Sequence, residues 1–143
     1  MAFFVGGLFA QLMPALGLRR RGGALETGAR ALLRGKSRRA YSVEVHARES
    51  VPALQRVPAV YCYARSLPAD DAAANPDFAI GYIAQTADMA AQDAEHQRLQ
   101  HFAGQDFDDV LLVREEGGPI RSDIERDLIQ RYDPPLNELL RGH

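Results

Sequence analysis

Three short apolar runs in the second half of the chain have the length and composition of β-strands. Residues 60–64 and 78–85 are rich in β-branched and aromatic side chains, and the prolines and acidic residues between them are typical of a loop. Residues 107–113 hold a continuous apolar stretch, which predicts a central strand that is buried on both faces. Gly81 interrupts the second run and predicts a bulge or a close approach of the backbone.

Two further stretches have the composition of helices. Residues 87–102 contain no proline or glycine, and Thr86 is expected to cap their N-terminal end, with Asp88 adding negative charge to the first turn. Residues 120–132 repeat isoleucine or leucine at every fourth position, which places one apolar stripe along a helix. The elements therefore follow the order β-β-α-β-α.

This order predicts an α/β (α+β) fold with a small three-stranded antiparallel sheet flanked by helices. The length of 143 residues suits one domain, which we place at residues 58–140. Residues 43–57 are interpreted as a short strand and a linker, because apolar and polar side chains alternate over 41–46 and prolines follow. Residues 24–34 are consistent with a short helix that has its leucines roughly on one side.

Residues 1–42 form an extra N-terminal segment that differs from the rest in charge. They carry eight basic side chains and one acidic one, whereas the rest carries nine basic and eighteen acidic side chains. The first 18 residues are uncharged and apolar, which is fewer than the roughly 20 needed to cross a bilayer. Three interpretations stay open: a disordered or loosely helical extension, an element that binds a membrane surface or a partner, and an organellar transit peptide. We expect a cytoplasmic protein, with the mitochondrion or another organelle as the alternative.

Charge and cysteine content limit the kinds of site that the chain can form. An acidic body is a poor match for nucleic acid, because neutralisation of phosphate drives that binding. The basic N-terminal segment is therefore where we expect a contact with nucleic acid, a membrane surface or a protein partner. The single cysteine, Cys62, excludes an internal disulfide and a cysteine-rich zinc site, and its apolar surroundings indicate a buried, inert thiol.

Four short motifs occur in the same order as in the GIY-YIG nuclease superfamily, which the chain resembles from about residue 58 to residue 137. The first is Pro-Ala-Val-Tyr at 58–61, the second is Tyr-Ile-Ala-Gln-Thr at 82–86, and the third is Phe-Asp at 107–108. The last lies on the second predicted helix and consists of Glu125, Leu128, Ile129, Tyr132, Pro134 and Asn137.

The resemblance implies a metal-dependent hydrolysis of phosphodiester bonds in nucleic acid. It gives Tyr61 the role of general base, with Tyr82 and His96 assisting, and it makes Glu125 the ligand of Mg²⁺ or Mn²⁺. A Mg²⁺ ion held by one carboxylate keeps most of its waters and can polarise a phosphate. A phenol with a pKa near 10 needs such a charge nearby to act as a base at neutral pH.

The chain departs from the family pattern at three positions. Alanines, Ala59 and Ala84, replace the glycines of the first two motifs, and Gln92 occupies the place of a helix arginine that stabilises the phosphate. Arg98 is the nearest candidate for that role, but it lies six residues further on, or about 9 Å along a helix. A shifted pairing of Arg98 with His101 is the remaining alternative. Loss of one such donor costs roughly 10²–10³ in rate in other enzymes.

Two functions from different classes are therefore carried forward: an endonuclease, and a catalytically inactive GIY-YIG-fold module that acts in binding or assembly. Each candidate residue also has a purely structural interpretation. Tyr61 and Tyr82 can be strand aromatics with their hydroxyls in water. Glu125 follows Ser122 at the spacing of a capping box. The two helix-region histidines are five residues apart, which predicts that both are solvated.

Overall fold

The computed structural model describes residues 20–21, 24–25, 29–67 and 77–140. The interpretations offered for residues 1–18, and the loop expected at residues 68–76, lie outside this part of the chain. The described elements are the strands β1 (Arg20–Arg21), β2 (Ala24–Leu25), β3 (Ala29–Arg34), β4 (Ala40–Ala47), β5 (Ala59–Ser66), β6 (Phe78–Thr86) and β7 (Asp109–Arg114), the 3₁₀ helix Arg48–Ala53, and the helices α1 (Met89–Arg98), α2 (Gly118–Tyr132) and α3 (Pro135–Leu140).

Five strands form one antiparallel sheet in the order β3-β4-β7-β5-β6, and β1 pairs separately with β2. The α+β class is confirmed, but the expected three-stranded sheet is two strands too small. The additional strands are β3 and β4, which pair with each other and join the remaining strands through the contact of β4 with β7. The sheet therefore uses residues on both sides of position 58.

The helix considered at residues 24–34 is not formed, because β3 alternates between buried and exposed positions. Ala31 and Leu33 are buried, while the two arginines and the leucine between them face outward. The turn that follows includes Arg38 in a left-handed conformation (φ 73°) and returns the chain into β4. Six residues are too few for the hydrophobic pattern to separate a strand from a helix, and the pairing with β4 decides between the two.

The sheet is covered on both faces, so β5 and β7 are buried almost throughout. The expected central strand at 107–113 is confirmed as β7, which lies between β4 and β5. Cys62 is buried as expected, and burial raises the pKa of its thiol to about 12. The face covered by α2 includes Leu33, Val43, Val45, Val60, Cys62, Ile83, Leu111, Ile124 and Leu128. The face covered by α1 and the 3₁₀ helix includes Val51, Leu54, Tyr61, Tyr63, Met89, Phe102, Phe107, Val110 and Leu112.

Gly81 meets both expectations that the sequence raised for it. Tyr63 pairs with Tyr82 and Ala64 pairs with Ile80, so Gly81 is the extra residue at a shift in the register of β5 and β6. A Cβ atom at this position would overlap the ring of Phe107. The backbone of β6 can therefore lie against this ring only where the side chain is absent.

The first helix is capped by Asp88, so the assignment of the cap to Thr86 is wrong. The Asp88 carboxylate accepts a hydrogen bond from the Ala91 N–H at 3.2 Å. The Thr86 hydroxyl instead bonds the Asp88 backbone, accepting from its N–H (3.1 Å) and donating to its carbonyl (3.2 Å). Within the described residues, no helix is long and apolar enough to cross a membrane.

Candidate functional site

Two neighbouring strands and one helix bring a set of aromatic side chains together. Strand alternation turns Tyr61 and Tyr63 to the same face of β5, and pairing with β6 places Tyr82 beside them. His96, near the C-terminal end of α1, packs against the three phenol rings, with centroid distances of 5.9 Å to Tyr61, 5.6 Å to Tyr63 and 5.3 Å to Tyr82. Phe102 closes the set at 5.0 Å from His96. We call these five residues the aromatic cluster.

Tyr61 and His96 form the central hydrogen bond of the cluster. The Tyr61 hydroxyl and Nε2 of His96 are 2.7 Å apart, and both residues are buried, with exposures of 1% and 3%. Burial raises the pKa of Tyr61, and the nearby Tyr82 and Glu125 raise it further. Burial, with the neighbouring His101, lowers the pKa of His96 to about 4. At neutral pH the pair therefore consists of an un-ionised phenol and a neutral imidazole.

His101 continues this pair toward the surface. Its Nδ1 lies 2.8 Å from Nδ1 of His96, and His101 itself is only half-buried. The expectation that both histidines are solvated is therefore wrong for His96. The chain leaves α1 through Gln100, whose φ is 56°, and the His101 N–H then bonds the His96 carbonyl at 3.1 Å. This left-handed step folds His101 back onto the helix end, which helical spacing alone does not predict.

Glu125 reaches the site from α2. It is half-buried, and its carboxylate accepts a hydrogen bond from the Gln85 amide at 3.3 Å. Burial raises its pKa, which the Gln85 bond partly opposes. Its charge raises the pKa of Tyr82 as well as that of Tyr61, so it acts electrostatically on both phenols. The capping-box interpretation is wrong. The helix α2 begins at Gly118, so Glu125 lies inside the helix, too far from its N-terminal end to cap it.

Glu125 supplies the carboxylate with which the site could hold a metal ion. Among the described residues, no three His, Cys, Asp or Glu side chains come together as a metal-binding group. Burial disfavours the charged form of this carboxylate, and the charge of Arg126 and the Gln85 hydrogen bond offset that only in part, so a bound cation would stabilise it further. Because Mg²⁺ is commonly held by one or two carboxylates and keeps several waters, a single half-buried glutamate fits this ion. Such a set of ligands does not fit a structural zinc site.

Arg98 does not join the aromatic cluster. It is the last residue of α1, its side chain is 66% exposed, and its guanidinium pairs with Glu95 at 2.6 and 3.1 Å. Gln92 is half-buried on the same helix. The structure thus brings together four of the five predicted site residues, Tyr61, Tyr82, His96 and Glu125, and leaves the arginine outside.

A buried polar group beside the cluster was not predicted from the sequence. The Tyr63 hydroxyl donates to the Asp93 carboxylate, which also accepts from the Gln97 amide at 2.8 Å. The guanidinium of Arg48 lies 3.9 Å from this carboxylate and 4.8 Å from the centre of the Tyr63 ring. Asp93 lies between Met89 and His96 at helical spacing, on the buried face of α1. An acidic residue on this face was the sequence signal that could have predicted a buried polar group here.

Asn137 fixes the edge strand that carries Tyr82. Its amide donates to the Ile83 carbonyl at 2.7 Å and accepts from the Ile83 N–H at 2.8 Å. The side chain thus pairs with the outer edge of β6 as a neighbouring strand would. These two bonds join α3 to a residue 54 positions earlier in the chain.

Comparison with known proteins gives no relative: no family model matches the chain, and neither a curated protein nor a solved structure shows a significant match. The resemblance to the GIY-YIG superfamily stays a prediction that rests on the motifs.

Proposed function

We propose that the chain is a GIY-YIG-like endonuclease that hydrolyses phosphodiester bonds of nucleic acid with the help of a divalent cation. The observation that carries this proposal is the 2.7 Å contact between the Tyr61 hydroxyl and Nε2 of His96. A phenol in contact with a neutral imidazole is a proton-accepting pair. Tyr82 and Glu125 raise the pKa of Tyr61 through space, and the ring of Tyr82 lies 5.3 Å from that of His96, which supports one site built from all four residues.

The pair can act as a base without forming a phenolate. Burial makes an ionised Tyr61 unfavourable, as the raised pKa indicates. As the Tyr61 oxygen takes a proton from the attacking water, its own proton moves to Nε2 of His96. His96 can accept this proton because its pKa of about 4 keeps the ring neutral at pH 7. Tyr82, whose ring centre is 6.3 Å from that of Tyr61, would help to orient the group that reacts there.

Glu125 would hold Mg²⁺ or Mn²⁺ in this proposal. When bound, the cation polarises a phosphate oxygen and stabilises the charge on the leaving oxygen. Gln85 orients the carboxylate through its amide, and the same amide also donates to the Ser122 hydroxyl at 2.8 Å. The Gln85 bond holds one oxygen of the Glu125 carboxylate, and the side chain is half-buried, so a hydrated ion would bind from its exposed side.

The substrate is expected to meet the basic side chains of the N-terminal half. In the described part of that half, the exposed turn between β3 and β4 carries Lys36, Arg38 and Arg39. Together with the basic residues before them, these side chains would offset the acidic body in binding phosphate. We place the protein in the cytoplasm, with an organelle as the alternative if residues 1–42 act in targeting; a membrane surface or a protein is the alternative partner of this segment.

Two observations favour a second candidate, a catalytically inactive module that binds nucleic acid or a protein partner. Arg98 pairs with Glu95 away from the aromatic cluster, and Gln92 carries no charge, so α1 supplies no guanidinium to a phosphate. Tyr61 is also only 1% exposed. Catalysis through Tyr61 therefore requires substrate binding to open the cluster, whereas a binding module needs no such opening.

The two candidates are separated by a cleavage assay on plasmid DNA and on structured RNA, with Mg²⁺ or Mn²⁺ and with EDTA. We expect metal-dependent cleavage by the wild type and its loss in Glu125→Ala. Glu116→Ala removes an exposed carboxylate two residues before α2 and should cleave like the wild type. Equal background for all three proteins, together with retained binding of the nucleic acid, would instead establish the inactive module.

A further inference from the structure

Tyr61, His96 and His101 form a continuous chain of hydrogen bonds from the buried site to the surface. The Tyr61 hydroxyl meets Nε2 of His96 at 2.7 Å, and the opposite ring nitrogen of His96 meets Nδ1 of His101 at 2.8 Å. Tyr61 and His96 are buried, and His101 is half-buried. No motif residue of the nuclease resemblance corresponds to this use of His101.

The partners of each atom fix the direction of these hydrogen bonds. Among the described residues, His96 is the one hydrogen-bond partner of the Tyr61 hydroxyl, so this hydroxyl must donate to Nε2 or leave a buried donor unpaired. His96 then carries its proton on Nδ1 and donates it to Nδ1 of His101. His101 consequently carries its own proton on Nε2. The opposite arrangement would leave the Tyr61 proton without an acceptor.

We infer that His101 is a positioning residue that holds His96 in the proton-accepting tautomer and passes a proton from the site to solvent. The hydrogen-bond arrangement stands on the contacts alone, whereas its effect on a rate rests on the proposed function. The hydrogen-bonded series consists of Tyr61, His96 and His101, and His101 is the member that reaches the surface. His101 would thus relieve His96 of the charge that burial disfavours.

The proton balance of one passage is complete. The attacking water gives a proton to the Tyr61 oxygen as the water oxygen bonds to phosphorus, and the Tyr61 proton moves to Nε2 of His96. In the same displacement the bond from phosphorus to the leaving oxygen breaks, and its electron pair stays on the leaving oxygen. The Nδ1 proton of His96 moves to Nδ1 of His101, and the Nε2 proton of His101 moves to bulk water. One proton enters and one leaves, and no residue keeps a charge. Both imidazoles end in the opposite tautomer. The reverse shift of one proton from solvent through His101, His96 and Tyr61 to the leaving oxygen resets them and completes the alcohol product.

Several charged and titratable groups surround His96, and they set the conditions for this passage. The carboxylate of Asp93 favours protonation of His96, while the guanidinium of Arg48 and a charge on His101 oppose it. These opposing charges, combined with burial, keep the His96 ring neutral, so it can accept and release a proton in one step. The groups that face His96 are Tyr61 and Tyr63 from β5, Tyr82 from β6, Arg48 from the 3₁₀ helix, Asp93 and Glu95 from α1, and His101 from the following turn.

The first test reads the tautomers directly, by two-dimensional ¹H–¹⁵N NMR of the histidine rings in the full chain at pH 7. We expect His96 protonated on Nδ1 and His101 on Nε2. We expect His101→Ala to weaken the preference of His96 for Nδ1, because the Nδ1 proton loses its acceptor while the Tyr61 hydroxyl still donates to Nε2. A His96 ring that carries its proton on Nε2 in the wild type would overturn the inference. So would a His96 tautomer that is unchanged in His101→Ala.

The second test measures single-turnover cleavage with Mg²⁺ for His101→Ala and for Gln105→Ala, an exposed residue of the same loop. We expect kcat to fall roughly 10- to 100-fold in His101→Ala with KM unchanged, and added imidazole to restore part of it. Equal rates in both variants, or a loss that imidazole does not restore, would refute the relay. If the wild type cleaves nothing, the proposed function fails, and the tautomer measurement alone decides the inference.

Discussion

The paired hydrogen bonds between Asn137 and Ile83 offer a direct test of how the edge of the sheet is held. Substitution Asn137→Ala removes one donor and one acceptor, at 2.7 and 2.8 Å from the Ile83 backbone. Ile83 itself is fully buried, whereas Asn137 is half-buried. The change leaves the Ile83 N–H and carbonyl dependent on whatever water reaches the edge of β6. Because Ile83 follows Tyr82, the same change also loosens one side of the candidate site.

The expected loss of stability follows from the number and burial of these bonds. A hydrogen bond inside a protein contributes about 1 kcal/mol net, and a buried group left unpaired costs about 1–3 kcal/mol. Two bonds at a half-exposed site therefore correspond to about 2 kcal/mol. With a dependence on urea of about 1–3 kcal/mol per M, the midpoint of unfolding should fall by about 1 M.

Urea unfolding gives the total effect, and amide hydrogen exchange locates it. We expect the protection of the Ile83 N–H to fall about 30-fold or more, since 2 kcal/mol corresponds to that factor and local opening of the edge adds to it. Asn137→Asp keeps an acceptor for the N–H but places a negative charge against the Ile83 carbonyl, so it should be at least as unstable at pH 7. Protonation of this Asp restores a donor, so part of the loss should return at acidic pH.

Gln130→Ala provides the control, because it removes an exposed side-chain amide from α2. Its unfolding free energy should stay within about 0.5 kcal/mol of the wild type. A midpoint for Asn137→Ala that matches this control, with unchanged exchange at Ile83, would show that the two hydrogen bonds do not hold β6.

Three further outcomes follow from the described contacts. Gly81→Ala should destabilise the fold by about 1–3 kcal/mol, since its Cβ displaces the Phe107 ring, and a thermal melt that matches the wild type would contradict this. Asp93→Ala should cost about 3–5 kcal/mol in urea unfolding, because it removes the acceptor of the Tyr63 hydroxyl and the counter-charge of a partly buried arginine; a loss below about 1 kcal/mol would argue against it. The lowered pKa of His96 means that the unfolded chain takes up a proton near pH 6.5 while the folded chain does so near pH 4. Stability should therefore decline by about 2 kcal/mol as the pH falls through this window, after allowance for solvent screening, and the decline should be absent in His96→Gln.

The sequence predicted the fold best where hydrophobic patterns were long and broken by clear turns. The strands β5, β6 and β7 and the helices α1 and α2 lie where the apolar runs and stripes place them, within a few residues. It failed for β3, whose six residues are too few for periodicity to separate strand from helix. The pairing of β3 with β4 is a tertiary property, because the bonds that decide it lie between separate parts of the chain.

The candidate site shows the same division. The family resemblance, and not the spacing of the residues, placed His96 with Tyr61 and Tyr82, and in the structure the three rings lie together because each faces the same layer of the fold. The contact of His101 with His96 depends on one residue in the left-handed conformation, Gln100. This conformation is commonest for glycine and asparagine, so a glutamine at this position gives no sequence signal for it. The approach of Arg48 to Asp93 joins a 3₁₀ helix and α1, and no local pattern encodes it.

The central claim is that the Tyr61–His96 pair serves as the base of a phosphodiester hydrolysis. The most direct measurement is the single-turnover rate with Mg²⁺ of Tyr61→Phe beside Tyr132→Phe, which removes a hydroxyl from a half-buried tyrosine on α2. We predict that Tyr61→Phe, shown to be folded by circular dichroism, is slower by about 10²-fold or more, and that Tyr132→Phe keeps the wild-type rate. Equal rates for the two variants and the wild type would contradict the account.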